Sequence, residues 1–218
     1  ARMTSDSHVD VQEPQELFLP NKMGRIVLLA LEELMGRNGL NGVLSTARLQ
    51  HLVDSYPPND LDKEFPFSSL SQLLQALEEM YGVRSGRGLA RKAGQGCFRL
   101  GIQDFAPVLG IVDMVLRILP LRMCMKIGLE VLAETFNRFT DQRVSIHEDD
   151  GHFRWTVPSC PICHGRLVES PCCHLMIGVL EEELFWVSGG RTFYLEEVSC
   201  IGTGDDCCTI LIGQRPLE

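Results

Sequence analysis

Seven of the nine cysteines in this chain fall between Cys160 and Cys208, as Cys160-Pro161-Ile162-Cys163, Cys172-Cys173, Cys200 and Cys207-Cys208. Thiolates clustered in this way, with carboxylates and histidines interleaved, are the raw material of a metal site. Glu197 and Cys200 stand three apart where a strand gives way to a loop. Cys208 follows eight residues after Cys200, beyond Gly202-Thr203-Gly204-Asp205-Asp206, a stretch that can fold the chain back. Cys173 opens an amphipathic helix, where the N-terminal dipole favours a thiolate. Cys173, Glu197, Cys200 and Cys208 thus form an S₃O set able to close a tetrahedral zinc site, in which binding free energy becomes folding free energy. The plainer alternative is a group of buried structural thiols, since free cysteine is commonly a core residue.

The remaining four, Cys160, Cys163, Cys172 and Cys207, make a second candidate set. A Cys-x-x-Cys pair serves as a chelate in metal knuckles and as a redox couple in oxidoreductases. A second four-thiolate site (zinc or iron–sulfur), a thiol–disulfide switch beside the first site, and inert packing all remain open. Cys160-Pro161-Ile162-Cys163-His164 also matches the c-type haem attachment pattern literally. Attachment normally requires export, and the first twenty residues lack the apolar core of a signal peptide. Without export the thiols are expected to be reduced and the protein cytoplasmic. His174 reads as a residue beside the ligands, not as one of them.

A second kind of site is suggested further upstream. No acidic residue occurs between Glu79 and Asp104, whereas Arg84, Arg87, Arg91, Lys92 and Arg99 do. With Arg117, Arg122 and Lys126 they could receive the carboxylates of a tetrapyrrole or another acidic lipophile. The simpler reading is a solvated helix face or a patch for the acidic C-terminal half. Trp155, Phe98 and Trp186 could line an apolar pocket, although aromatic core is the default. Arg87, Arg91, Arg117 and Trp155 are the ligand-binding candidates.

The elements that must position these groups follow from hydrophobic period. Residues 1–20 are rich in acids, Pro and Gln and read as a flexible tail. Lys22 to Met35 carries a helical stripe ended by Gly36, and Leu40 to Val53 a second helix. Ser68 to Tyr81 repeats Leu70, Leu73, Leu74 and Leu77, with Gly82 as the stop. Leu89 to Ile102 and Pro107 to Phe136 read as further helices, the latter broken near Pro120. After Thr140 the period changes to two: 144–147 and 153–157 alternate around Asp149-Asp150-Gly151, a hairpin signal. Cys172 to Val187 is an amphipathic helix with Leu175, Val179 and Leu180 on one side and Glu181, Glu182 and Glu183 expected to be largely exposed. Thr192 to Val198 and Cys207 to Ile212 read as strands. Helices first and an antiparallel sheet with a helix afterwards define an α+β fold. The expected organisation is a tail, 1–20, and one domain, 21–218, divided into a helical part (21–142) and a Cys-rich sheet and helix part (143–218).

Charge is unevenly divided. Residues 1–143 hold 16 basic and 17 acidic side chains, and residues 144–218 hold 4 and 12. An acidic half argues against nucleic acid as a partner. The longest apolar stretch, Val108 to Leu129, is interrupted by charges and Pro120, so membrane insertion is not expected. No Walker loop, dinucleotide fingerprint or serine elbow occurs.

The run from Cys160 to Gly178, with Pro171-Cys172-Cys173-His174-Leu175-Met176-Ile177-Gly178, and the run Glu196-Glu197-Val198-Ser199-Cys200-Ile201-Gly202-Thr203-Gly204-Asp205-Asp206-Cys207-Cys208 resemble the 4-vinyl reductase domain. That domain occurs in bacteriochlorophyll-synthesis accessory proteins, aromatic-sensing regulators and stand-alone hydrocarbon-binding proteins. Gly24 to Gly101, with Gly86-Arg87-Gly88-Leu89-Ala90-Arg91, is similar to the stand-alone bacterial members. The resemblance implies a fold like that of a vesicle-tethering (TRAPP) subunit, a homodimer, and zinc on Cys173, Glu197, Cys200 and Cys208. Cys172 and Cys207, directly beside two of those ligands, depart from the pattern. A small-molecule-binding module with structural zinc is therefore expected, its ligand hydrophobic, with haem or a chlorophyll precursor foremost. The alternatives are a reductase or accessory subunit acting on the vinyl group of a chlorophyll precursor, and a cysteine-based redox or metal sensor. The chain shows no motif for a hydride donor, which points to binding over catalysis.

Overall fold

The computed structural model describes residues 16–116 and 119–217, and of 104–116 the backbone alone. A short strand β1 (Phe18–Pro20) leads into α1 (Asn21–Thr46); β2 (Lys63–Pro66) leads into α2 (Phe67–Tyr81), followed by α3 (Val83–Leu116) and α4 (Leu121–Phe139). The C-terminal part is β3 (Ser145–Asp149), β4 (His152–Val157), α5 (His174–Val187), β5 (Phe193–Ser199) and β6 (Cys208–Pro216). The fold is α+β: a helical N-terminal part packs onto a C-terminal antiparallel sheet and helix.

Local sequence explains most boundaries. Pro20, Pro66 and Pro120 stand at the N-caps of α1, α2 and α4. A proline there gives up no helical hydrogen bond, because the first N–H groups of a helix are unpaired anyway. Gly36 breaks α1 internally at φ 71°, and Gly82 ends α2 at φ 80°, both in the left-handed region where a side chain would be strained. The expected second helix after Gly36 stops at Thr46, short of Val53, and a 3₁₀ turn covers Gln50–Leu52. Between Val83 and Leu116 one helix runs where two were expected, Pro107 included.

Part of the expected tail is ordered. β1 pairs antiparallel with β2, Leu19 facing Phe65, and both side chains are buried. Three- and four-residue strands are too short to show alternation, so periodicity passes over them. The rest of that stretch, 1–15, lies outside the described residues.

The four-stranded sheet has the order β3-β4-β6-β5, antiparallel throughout. Gly151 at φ 86° makes the β3–β4 turn. In β4 and β6, Phe153 faces Ile212 and Trp155 faces Ile210, and all four are buried on the face toward the helices. α5 lies between that sheet and α3. A Cβ on Gly178 of α5 would collide with the Arg91 carbonyl of α3, and one on Gly94 of α3 with the Leu175 carbonyl of α5. The two backbones thus touch through paired glycines, and that contact fixes how deeply α5 sits. Across the rim, Arg91 is paired with Glu181, and Arg99 with Glu182 at 3.1 Å.

Candidate metal centre and ligand cavity

Three local structures carry the cysteines to one point. Cys160 and Cys163 precede α5, and just after them Arg166 N–H donates to the Cys163 carbonyl at 3.0 Å, closing a turn. Cys173 is the N-cap of α5. Glu197 lies near the end of β5, where a register shift between Glu197 and Ser199 interrupts the ladder with β6. Cys200 follows, and Asp205 accepts its backbone N–H at 2.8 Å. Gly204, at φ 101°, lets the loop return so that Cys208 starts β6 beside it.

Cys173, Glu197, Cys200 and Cys208 bring their donor atoms within 4.8 Å of one another, all of them buried. So do Cys160, Cys163, Cys173 and Cys208. The sulfur separations are 3.5 Å for Cys160–Cys173, 3.3 Å for Cys163–Cys208, 3.6 Å for Cys173–Cys208 and 4.0 Å for Cys173–Cys200. A Zn–S bond of about 2.3 Å implies a tetrahedral edge of about 3.8 Å between thiolates, so these separations suit ligands of one ion. Cys208 Sγ also accepts the Ile201 N–H at 3.3 Å.

Glu197 supplies a separate argument. One carboxylate oxygen accepts the Cys173 N–H at 2.7 Å, while Oε1 is buried without a hydrogen-bond partner. Burial pushes this carboxyl up to about 8, against the lowering effect of the Cys173 bonds. An orphaned, buried carboxylate oxygen beside three thiols is a donor that a cation could satisfy. Hydrogen bonds from Cys163, Cys173 and other neighbouring thiols hold Cys160 and Cys200 well below the usual thiol range. The donor set fits zinc.

The second set anticipated from the sequence does not assemble. Cys160 and Cys163 join Cys173 and Cys208 instead. Cys172 is buried with its sulfur 4.0 Å from Cys200, outside both four-donor groups. Cys207 is half-exposed, its sulfur 3.6 Å from Thr209 Oγ1. Strand alternation is the reason: Cys207 and Cys208 are adjacent, so only one can face the core. His174 stands beside the cluster with Nδ1 buried and unpartnered, and belongs to neither group.

An apolar cavity of about 150 Å³ lies between α1, α3, α4 and α5. Its walls include Met23, Ile26 and Val27 of α1, Phe98 of α3, Leu132 and Phe136 of α4, and Leu175, Met176 and Trp186 of α5. Pro161 and Ile162, the residues between Cys160 and Cys163, line it as well. Three polar side chains break the apolar wall: Thr135, whose hydroxyl donates to the Val131 carbonyl at 2.8 Å, Glu183 and Gln142. Glu183 is 3% exposed, with Oε2 unpartnered, and burial pushes its carboxyl well above the usual range. Gln142 is 1% exposed, with Oε1 unpartnered.

Of the ligand-binding candidates from the sequence, Arg87, Arg91 and Trp155 do not line this cavity. Arg87 is paired with Glu78 at 3.4 Å and donates to Ser170, and Arg91 is paired with Glu181. Long cationic side chains find carboxylates at the helix rims, where water still reaches them. Arg117 lies outside the described residues. Trp155 is fully buried against Phe136, ring centroids 6.1 Å apart, and is absent from the cavity wall. Glu183 was expected to be exposed, and its burial corrects that reading. It falls four residues after Val179 and eight after Leu175, so helical phase alone places it on the apolar face.

No protein-family model and no curated protein matches this sequence. Solved structures match its fold. The Fe(II) unliganded H-NOX protein from K. algicida aligns over 92% of this chain and 97% of its own, at 16% identity and a TM-score of 0.60. An H-NOX protein from S. oneidensis in the Fe(II)NO ligation state aligns over 89% and 99%, at 14% identity and 0.54. The phenol-responsive sensory domain of the transcription activator PoxR, solved with phenol, aligns over 79% and 88%, at 18% identity and 0.50. The chain therefore has the α+β fold that the H-NOX proteins share. These findings overturn the resemblance to the 4-vinyl reductase domain, and with it the link to bacteriochlorophyll synthesis: the fold matches are H-NOX proteins and a sensory domain. Short cysteine motifs and a glycine-bearing helical run carried that resemblance, and a Cys-x-x-Cys pair alone occurs in several kinds of site. Among the described residues, no helix is long and apolar enough to cross a membrane.

Proposed function

We propose that this chain is a cytoplasmic small-molecule-binding module of the sensor type. Its cavity takes an apolar ligand of about one aromatic ring. The observation that carries this reading is the 150 Å³ cavity, lined largely by apolar side chains from four helices. An apolar cavity of about that size is large enough to hold benzene. The solved neighbours support it by analogy: two are H-NOX proteins in stated iron and NO states, and one is a sensory domain with phenol. A homodimer accords with a sensor role.

Haem does not fit the residues described here. Among the described residues, the cavity wall contains no histidine or tyrosine as an axial ligand, and no lysine or arginine to meet propionates. The thiol of Cys97 in that wall is pushed up to about 12 by burial, so it stays protonated. Glu183 and Gln142 instead offer hydrogen bonds to one hydroxyl or amine on a small, otherwise apolar ligand.

In this proposal zinc at Cys173, Glu197, Cys200 and Cys208 pins α5 to the sheet. The assignment rests on the donor set alone. It also bears on the cavity, because Leu175 and Met176 of the wall directly follow Cys173.

The test is a titration of the zinc-replete chain with toluene, phenol and haemin, read by Trp186 fluorescence and by the Soret band. Saturable one-to-one binding of toluene or phenol, with no stoichiometric haem complex, is expected. Gly101 lines the cavity and a Cβ there meets nothing within 4 Å, so the side chain of Gly101→Phe starts in open space beside the ligand site. That variant should fold and lose at least tenfold in affinity, about 1.4 kcal/mol. Unchanged affinity in Gly101→Phe would remove the cavity from the reading.

Glu183 gives a second expected outcome. Its folded carboxyl titrates above the unfolded value of about 4.3, so its contribution is fully present below that pH and is lost as pH rises toward the folded value. The unfolded chain ionises in that window and the folded one resists, at roughly 1.4 kcal/mol for each pH unit. Glu183→Gln should therefore melt near the parent at pH 4 and clearly above it at pH 8. Equal melting differences at both pH values would mean that Glu183 is ionised in the folded protein.

A further inference from the structure

We infer that the cysteine cluster is built for a pair of divalent, thiophilic metal ions that share Cys173 and Cys208 as bridging thiolates. This rests on the zinc reading above and extends it from one ion to two. Two four-donor groups are present, and Cys173 and Cys208 belong to both. Their sulfurs are 3.6 Å apart, close to the tetrahedral edge of about 3.8 Å that Zn–S bonds of about 2.3 Å require. Two tetrahedra joined along one edge are the geometry of a doubly thiolate-bridged pair. Each ion then has its own terminal ligands: Cys160 and Cys163 from the segment before α5, and Glu197 and Cys200 from the end of β5.

A single ion in either group leaves two donors of the other group buried and unused. With the ion on Cys173, Glu197, Cys200 and Cys208, the sulfurs of Cys160 and Cys163 remain 3.5 Å and 3.3 Å from metal-bound thiolates. With the ion on the four cysteines, the orphaned oxygen of Glu197 stays orphaned. Two ions use all six donors.

Charge favours the pair as well. Five thiolates and one carboxylate carry six negative charges, and two divalent ions leave a net charge of minus two. That is the charge a single four-thiolate zinc site already carries, so the second ion adds no uncompensated charge. Arg166 lies close enough to Cys172 and Cys173 to feel their charge. It is 7% exposed and paired with Glu78 at 2.7 Å, while its Nε and Nη1 have no hydrogen-bond partner. With the α5 N-terminus it offsets the remainder.

The experiment is metal counting on the full chain, purified from zinc-supplemented cells, by elemental analysis and native mass spectrometry. Exchange with ¹¹³Cd adds an NMR readout with one resonance per site. The expected result is two ions per chain and two cadmium resonances. A Cys160→Ser/Cys163→Ser double variant should fall from two ions to one, and Cys207→Ser should keep two. The wild-type count decides the matter even if the double variant does not fold. One ion per chain, whether or not the double variant retains it, overturns the pair and leaves the single-zinc reading standing. No ion at all overturns both.

Discussion

Gly178→Ala is expected to lower the melting temperature by about 10 °C or more, whereas Gly88→Ala, on a neighbouring stretch of helix, raises it. Both substitutions add one methyl group. At Gly178 that carbon would lie 2.8 Å from the carbonyl carbon of Arg91, closer still to its oxygen, and 3.1 Å from its Cα. At the other glycine of the pair, a Cβ on Gly94 would meet the nitrogen of Val179 at 2.9 Å and the Leu175 carbonyl. No rotamer change relieves a clash with backbone, so α3 and α5 must move apart. Overpacked cores usually lose about 1–3 kcal/mol, and this contact belongs at or beyond the upper end because both partners are main chain. For a chain of this size each kcal/mol corresponds to roughly 2–4 °C. Gly88, by contrast, is exposed, and a Cβ there meets nothing within 4 Å. The Ala-over-Gly helix preference, about 0.8–1 kcal/mol, is then the whole effect. Melting followed by circular dichroism checks both, and a Gly178→Ala variant within about 2 °C of the parent would show that the helices do not cross at this depth.

Period and composition do not mark the close contact of Gly178 and Gly94, although Gly178 closes the cysteine-bearing run noted in the sequence. The leucines of α2 and the alternation of β3 and β4 were legible because each follows from one element's own periodicity. The break in α1 at Gly36 and the end of α2 at Gly82 were legible because a backbone conformation there demands glycine. Gly178 and Gly94 answer to a partner helix distant in the chain, and no local periodicity shows that their backbones touch. The same distinction divides the candidate site. Cys173, Glu197, Cys200 and Cys208 could be grouped because a helix start and a returning loop are local events. That Cys160 and Cys163 meet Cys173 and Cys208, and not Cys172 and Cys207, depends on which way adjacent residues face at a strand end and a helix cap. The arginines were assigned to a pocket on charge alone, and the carboxylates of α2 and α5 that hold Arg87 and Arg91 are tertiary partners. Glu183 was misjudged for another reason. A run of three glutamates suggests solvent, yet one position in such a run can still face inward at helical phase.

Cys173→Ser is expected to strip the cluster of metal and to have the largest effect of any single substitution in the C-terminal part. Cys173 is a member of both four-donor groups, so no arrangement of the remaining cysteines restores either. It is also the N-cap of α5, and its N–H anchors Glu197 at 2.7 Å. The substitution itself is nearly isosteric, so packing contributes little. What is lost is metal binding, worth roughly 10–16 kcal/mol for structural zinc in small peptides, against a total stability of about 5–15 kcal/mol for ordinary domains. Even a fraction of that removes most of the folded state at 37 °C. The outcome should be zero metal per chain, a melting temperature lower by more than 20 °C on the scale of about 2–4 °C per kcal/mol, and loss of ligand binding in the same concentration range where the parent saturates. The last follows from connectivity: Leu175 and Met176 leave the cap directly and form part of the cavity wall, and Ile162 reaches the same cavity from between Cys160 and Cys163. Cys207→Ser, one residue from a proposed ligand but with its sulfur on Thr209, should change none of the three. If Cys173→Ser keeps its metal and its melting temperature, Cys173 is not a ligand and the cavity holds its shape without that clasp.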